Sequence, residues 1–106
     1  MPKAVLHAYS NPASPEAEAQ FNTWYDEVHL KEVLAIPGVR SATRYRLAEV
    51  NPFSPEHRYL AVYELDIEPA AMLAELGSGR LSTTDTIDTA GARMAFWVPT
   101  DDNLSG

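Results

Sequence analysis

A histidine at position 29 stands three residues after Asp26 and three before Glu32, inside a segment, residues 21–38, patterned as an amphipathic helix that ends at Pro37-Gly38. An imidazole can donate and accept a proton near neutral pH, which is what general acid or base work requires. Side chains three apart on a helix are neighbours, so either carboxylate could hold the imidazole in one tautomer. The expected chemistry is therefore proton transfer, with His29 moving the proton and Asp26 or Glu32 orienting it. The plainer alternative is a half-buried histidine on a helix shoulder with no chemical task.

The helical wheel separates the three. At 100° per residue Ala17, Phe21, Trp24, Tyr25 and Val28 form one stripe, with Asn22 and His29 on its shoulder. Asp26 falls about 140° from Phe21, toward solvent. There it either orients His29 or pairs with Lys31 or an arginine. Continuing the wheel puts Glu32 inside the apolar stripe, and a buried carboxylate needs a partner, a proton or a wet cavity. Either Glu32 points inward on those terms, or the helix bends near Lys31 and turns it out.

Further candidates come from the predicted strands. His7 and Tyr9 share a strand face with Val5, so they face either a cavity or a partner molecule. Tyr25 could present its hydroxyl to a ligand. Tyr45, Tyr59 and Tyr63 would make a phenol-bearing surface suited to an aromatic ligand or to an interface. Arg44 and Arg46 share a face, and Arg44 is the candidate to hold a substrate oxygen. The expected binding set is thus Tyr25, His7, Tyr9, Arg44, Tyr45 and Tyr63.

Composition narrows the classes. A net charge of −7 with eight Lys and Arg argues against nucleic acid, which is held by clustered cations. The chain lacks cysteine, so disulfides and thiolate chemistry are excluded. No metal-ligand spacing, glycine-rich phosphate loop or nucleophile elbow is present, and neither metal nor cofactor is expected. No apolar run approaches the roughly 20 residues of a membrane span, and no export signal is visible. A cytoplasmic protein is the expectation.

At 106 residues one domain is expected over 1–99, followed by a polar tail at 100–106. Strands are predicted at 3–10, 39–49, 57–66 and 92–98. A long helix begins near Ser14-Pro15 and a short one at Pro69, while residues 81–91 form either a loop or a short capped helix. The order β-α-β-β-α-β is a ferredoxin-like layout, an α+β fold with both helices on one face of a four-stranded antiparallel sheet. Several strands are nonetheless apolar on both faces, whereas a sheet wet on one side should alternate cleanly. Pairing of the bare face with a second copy is the simplest solution, and a homodimer is expected.

The first strand (residues 3–10), Trp24-Tyr25-Asp26-Glu27-Val28-His29, the turn Ile36-Pro37-Gly38-Val39 and the strand Thr43-Arg44-Tyr45-Arg46 resemble the EthD-type dimeric α+β barrels, as do length and element order across almost the whole chain. One departure is Lys31, where the family often places a proline. The resemblance implies two subunits packed sheet to sheet, with a small-molecule cavity between each sheet and its helices. It implies small-molecule chemistry, usually without metal or nucleotide. The fold hosts cyclases, isomerases, cofactor-free oxygenases and haem proteins, so it does not choose a reaction. The expected function is a cofactor-independent cyclase, isomerase or lyase acting on a hydrophobic oxygenated substrate. The alternatives are a cofactor-free monooxygenase or haem binder of the same barrel type, and a non-catalytic ligand-binding accessory subunit.

Overall fold

Small and apolar residues at alternate positions let the strands lie flat beneath helices, and this places the core. In a computed structural model, which describes residues 2–100, β1 (Ala4–Ser10), β2 (Val39–Arg46), β3 (Tyr59–Leu65) and β4 (Arg93–Trp97) form one antiparallel sheet in the order β2-β3-β1-β4. The result is an α+β fold with two helical segments and a four-stranded antiparallel sheet. The tail expected at 100–106 lies outside the described residues except for Thr100. No helix among the described residues is long and apolar enough to cross a membrane.

Register assigns the two sheet faces. Leu6 pairs with Tyr63 and Phe96, and Ala8 with Ala61 and Met94, so these residues share the helix-facing side. His7 pairs with Val62 and Ala95, and Tyr9 with Leu60 and Arg93, on the opposite side. The β2–β3 register slips between Val39 and Ser41, where two steps of β2 oppose one of β3. A one-residue slip exchanges the faces of every residue beyond it. Beyond the slip Ala42, Arg44 and Arg46 pair with Tyr63, Ala61 and Tyr59 on the helix side, while Thr43 and Tyr45 take the open side.

The first helical segment starts with a 3-10 turn (Pro15–Ala17), whose amide at Ala17 is capped by Ser14 Oγ at 3.2 Å, and continues as α1 (Glu18–Trp24). A π turn (Tyr25–His29) follows, in which Leu30 N–H donates to Tyr25 O five residues back, and then α2 (Leu30–Leu34). The second segment is α3 (Pro69–Leu76). The π turn adds one residue to the helical repeat and displaces the buried stripe by one position after it. Phe21, Tyr25, Val33 and Ile36 are buried, whereas Val28, expected in the stripe, is exposed. Val33 takes the inward place that a straight helix gives to Glu32.

Residues 81–91 form a loop rather than a helix, tied to the chain near Pro12 by Ala13 N to Thr86 O (2.7 Å) and Asp88 N to Asn11 O (2.9 Å). The core joins Leu6, Phe21, Val33, Tyr63, Leu65 and Met72, each fully buried.

The turn at Pro37-Gly38 depends on glycine. Gly38 has φ 98°, and a Cβ there would collide with Ile67 Cγ2. Positive φ costs a substituted residue roughly 1 kcal/mol, and forcing an extra methyl into packed surroundings about 1–3 kcal/mol. Gly38→Ala is therefore expected to destabilise the protein by about 2–4 kcal/mol in urea unfolding. A change below about 0.5 kcal/mol would show that the turn relaxes freely.

Candidate functional site

His29 ends the π turn and lies where the first helical segment meets the sheet. Its ring stacks on Trp24 (centroids 4.8 Å apart, 21° between planes) and meets Tyr25 edge to face at 4.9 Å and 80°. Its Nδ1 is buried with no hydrogen-bond partner among the described residues. The ring forms part of the wall of a cavity of about 440 Å³. The sheet supplies the floor with Leu6, Ala8, Tyr63 and Met94, and the first helical segment supplies His29 and Val33. The end of α3 and the loop after it close the space with Leu76, Gly77, Gly79, Leu81, Ser82 and Thr83. Most of this lining is apolar, with polar side chains from His29, Tyr63, Ser82 and Thr83.

Burial pushes the His29 pKa below its ordinary value; Glu32 opposes that shift and Arg44 adds to it. Tyr63 Oη, like His29 Nδ1, is buried and unpartnered, its geometry to the neighbouring Tyr25 phenol falling outside that of a hydrogen bond. Burial, reinforced by Tyr25, drives the Tyr63 phenol well above its ordinary range. Burial also raises Tyr25. Both phenols stay neutral donors at physiological pH.

The carboxylates expected to orient His29 are engaged elsewhere. Asp26 Oδ1 accepts from Arg44 Nη1 at 3.0 Å, and Arg44 Nη2 donates to Asn22 Oδ1 at 2.9 Å. The Arg44 guanidinium lies over the rings of Tyr25 (4.4 Å), Tyr59 (5.0 Å) and Phe21 (5.4 Å). The network runs on through Asn22 Nδ2 to Tyr59 Oη (3.2 Å), and Tyr59 Oη donates to Glu18 Oε2 at 2.6 Å. Arg44 is thus a structural cation inside an aromatic box, and neither Arg44 nor Asp26 lines the His29 cavity.

Glu32 lies to one side of the stripe. Its carboxylate accepts from Ser82 Oγ (2.6 Å) and Ser82 N (3.0 and 3.2 Å), and these bonds hold its pKa below the ordinary value. It fastens the loop after α3 to the helix that carries His29, and so holds two walls of the cavity together.

The remaining candidates divide between the faces. Tyr25 and Tyr63 lie on the helix side near His29. His7, Tyr9 and Tyr45 lie on the open face, where His7 Nδ1 approaches Tyr9 Oη at 3.4 Å and the His7 ring sits 6.0 Å from Trp97. The expected three-tyrosine surface is divided by the sheet, with Tyr45 on one side and Tyr59 and Tyr63 on the other. A larger hollow of about 590 Å³ lies by the β2–β3 connection, lined by Tyr9, Tyr45, His57, Arg58 and Leu60 among others. Its histidine donates Nε2–H to Gly91 O at 2.7 Å, and Arg58 pairs with Glu18 at 3.0 Å. In the smaller cavity Ser82 is committed to Glu32, whereas His29 and Tyr63 each keep an unpartnered polar atom.

Asn22, Glu18 and Ser82 are site-shaping residues that spacing alone does not single out as such. Ser82 is 50 residues from Glu32, and no local pattern announces their contact. Among the described residues no group of three or more His, Cys, Asp or Glu side chains could hold a metal ion.

Fold and site together define a small α+β domain with an apolar cavity walled by a helix histidine and a buried tyrosine. No family model, curated protein or solved structure matches this chain.

The shifted groups predict a two-stage loss of stability in acid. His29 has a folded pKa below the ordinary 6.5, so the unfolded chain takes up a proton first and stability falls as pH drops below 6.5, until the folded pKa is reached. Glu18, lowered mainly by the Tyr59 hydroxyl, and Glu32 stabilise the fold above the ordinary 4.5, and that contribution is lost as pH falls through their lower folded values. Urea midpoints measured from about pH 8 to about pH 3 should fall in both windows, and His29→Gln should remove its share of the first. An unchanged upper window in the variant would place His29 in solvent.

Proposed function

We propose that this protein is a small-molecule enzyme of the EthD-type, ferredoxin-like dimeric barrel kind, using cofactor-independent acid–base chemistry on a hydrophobic, oxygenated substrate. A cyclisation, isomerisation or lyase step is the reaction class. The observation that carries the reading is the meeting of His29 and Tyr63, each with an unpartnered buried polar atom, at one apolar cavity. Buried polar atoms are nearly always satisfied, so two unpaired ones in side chains of a single cavity wall mark unusual polarity there, and the ring edge of His29 left accessible is Nε2. The strand order β2-β3-β1-β4 and the helices on one side accord with the barrel subunit.

Dimerisation is the second part of the proposal. The open face carries Val5, His7, Tyr9, Tyr45, Leu60, Val62 and Trp97, of which Tyr45 and Trp97 are more than half exposed. Covering such a face with a second copy removes apolar area from water. The protein should sediment at twice its 11.7 kDa chain mass, and Tyr45→Glu with Trp97→Glu should return it to the monomer. A wild-type monomer at about 100 μM would overturn the dimer.

The chemistry is tested with a model ketone. In D₂O, 1-tetralone loses a proton from the carbon beside its carbonyl to a solvent base and regains a deuteron, an exchange that NMR follows directly. The wild-type protein should accelerate this exchange above a buffer matched in pH and ionic strength. A rate equal to that of buffer would sink the catalytic reading and leave a ligand-binding subunit.

A further inference from the structure

His29 offers its two ring nitrogens unequally. Nδ1 is buried with no partner, while Nε2 is not among the buried orphan atoms, so the Nε2 edge is the accessible one. A proton on Nδ1 would be a buried N–H without an acceptor, an arrangement rarer in proteins than an under-satisfied acceptor. Trp24 lies flat on the ring and offers no in-plane acceptor to Nδ1. The tautomer that avoids the orphaned donor has a bare Nδ1 and carries its hydrogen on Nε2.

The charge inventory of the cavity is equally one-sided. Among the described residues no Asp, Glu, Lys or Arg lines it. The half-buried guanidinium of Arg44 is spent on Asn22 and Asp26 among aromatic rings, and the Glu32 carboxylate is spent on Ser82. A ligand carboxylate entering this space would be desolvated without a counter-ion, at a cost of several kcal/mol (order of magnitude). An uncharged carbonyl or hydroxyl oxygen would instead meet a hydrogen-bond donor. Tyr63 lines the same wall, but its hydroxyl oxygen is buried like His29 Nδ1, so the donor at the cavity surface is the Nε2 edge of His29.

We propose that His29 acts as a neutral hydrogen-bond donor through Nε2–H, not as a base, and that the cavity takes an uncharged, largely apolar molecule bearing a carbonyl oxygen. This rests on the cavity reading above and names both the direction of His29's contribution and the class of ligand. Burial, which favours the neutral ring, acts in the same sense. A volume of about 440 Å³ suits a compact, mainly apolar ligand such as a bicyclic ketone.

Two measurements test the proposal without reading turnover. Long-range ¹H–¹⁵N correlation spectra of the ¹⁵N-labelled protein at about pH 7.5, above the ordinary histidine pKa, report the tautomer of each ring. The His29 signals are those that survive in both His7→Gln and His57→Gln, so no substitution at the site is needed. The expected pattern is protonated Nε2 with bare Nδ1. Protonated Nδ1, held against the Tyr25 ring, or an imidazolium, overturns the donor role. In the second measurement 1-tetralone and 1-naphthoate are titrated separately, with chemical shifts followed around the cavity. The ketone should bind at least tenfold more tightly; equal or tighter binding of the carboxylate, or binding of neither, overturns the ligand class. If both results hold while deuterium exchange stays at the buffer rate, His29 is a binding residue and only the catalytic reading has failed.

Discussion

His29→Ala should lower the protein-catalysed exchange of 1-tetralone by about 10²–10³-fold, the range found when one preorganised donor to a developing oxyanion is removed. The loss corresponds to about 2.7–4 kcal/mol of barrier. It is large because no charged side chain among the described residues lines the site to replace the lost donor. The ring also packs between Trp24 and Tyr25, and alanine would leave a void there. His29→Gln separates the two effects, since its amide can still donate toward the cavity and fills more of the space. Gln should recover part of the rate that Ala loses. Equal rates for Ala and wild type, with the fold intact by near-ultraviolet circular dichroism, would remove His29 from the chemistry. A Gln variant as slow as Ala would assign the loss to ring-specific packing or chemistry instead of donation.

Phe21→Ala should carry the largest stability cost, about 3–5 kcal/mol. Its side chain is fully buried and meets Tyr25 at 5.6 Å and Tyr59 at 5.3 Å, both edge to face. Removing the ring subtracts transfer free energy and opens a cavity under the Arg44 guanidinium, which lies 5.4 Å from the ring centroid. Arg44 cannot follow easily into the gap, because Asn22 and Asp26 hold it. At about 4–8 °C per kcal/mol for a domain of this size, Tm should fall by at least about 12 °C. Phe21→Leu, which keeps most of the volume, should cost less than half as much. A loss below about 1 kcal/mol for Phe21→Ala would mean that α1 does not present this face to the sheet.

Both expectations trace to a helix whose geometry is only partly readable from its residues. The apolar positions 21 and 25 identify the buried side of its first half, and Ser14-Pro15 and Pro37-Gly38 mark its ends, because capping and turn chemistry are local. The second half departs from the wheel because the π turn shifts every later position by one. Glu32 therefore stands beside Ser82, and Val33 fills the core. No residue type in Tyr-Asp-Glu-Val-His dictates a π turn. Packing of Tyr25 and Val33 on the sheet goes with it, and packing is a property of the whole fold.

Arg44 shows the same division. Its type and its place in a strand with Arg46 are plain in the sequence, but its side of the sheet depends on the slip between Val39 and Ser41. Without that extra residue Arg44 would face the open side and the aromatic box would have no cation. For His7 and Tyr9, alternation shows that they share a face, and only the position of the helices says which face it is.

By itself, then, the sequence determined the number and order of the strands and helices, the turn that demands glycine, and the histidine around which proton chemistry could be built. All of these depend on residues near one another in the chain. The tertiary structure decided which of three clustered ionisable groups meets the cavity. Asp26 is drawn to Arg44, 18 residues away, and Glu32 to Ser82, 50 residues away, because charged groups next to a core must find partners and those partners come from other elements. His29 is left with one buried nitrogen and one accessible edge, in the wall of a space that no local pattern could have outlined.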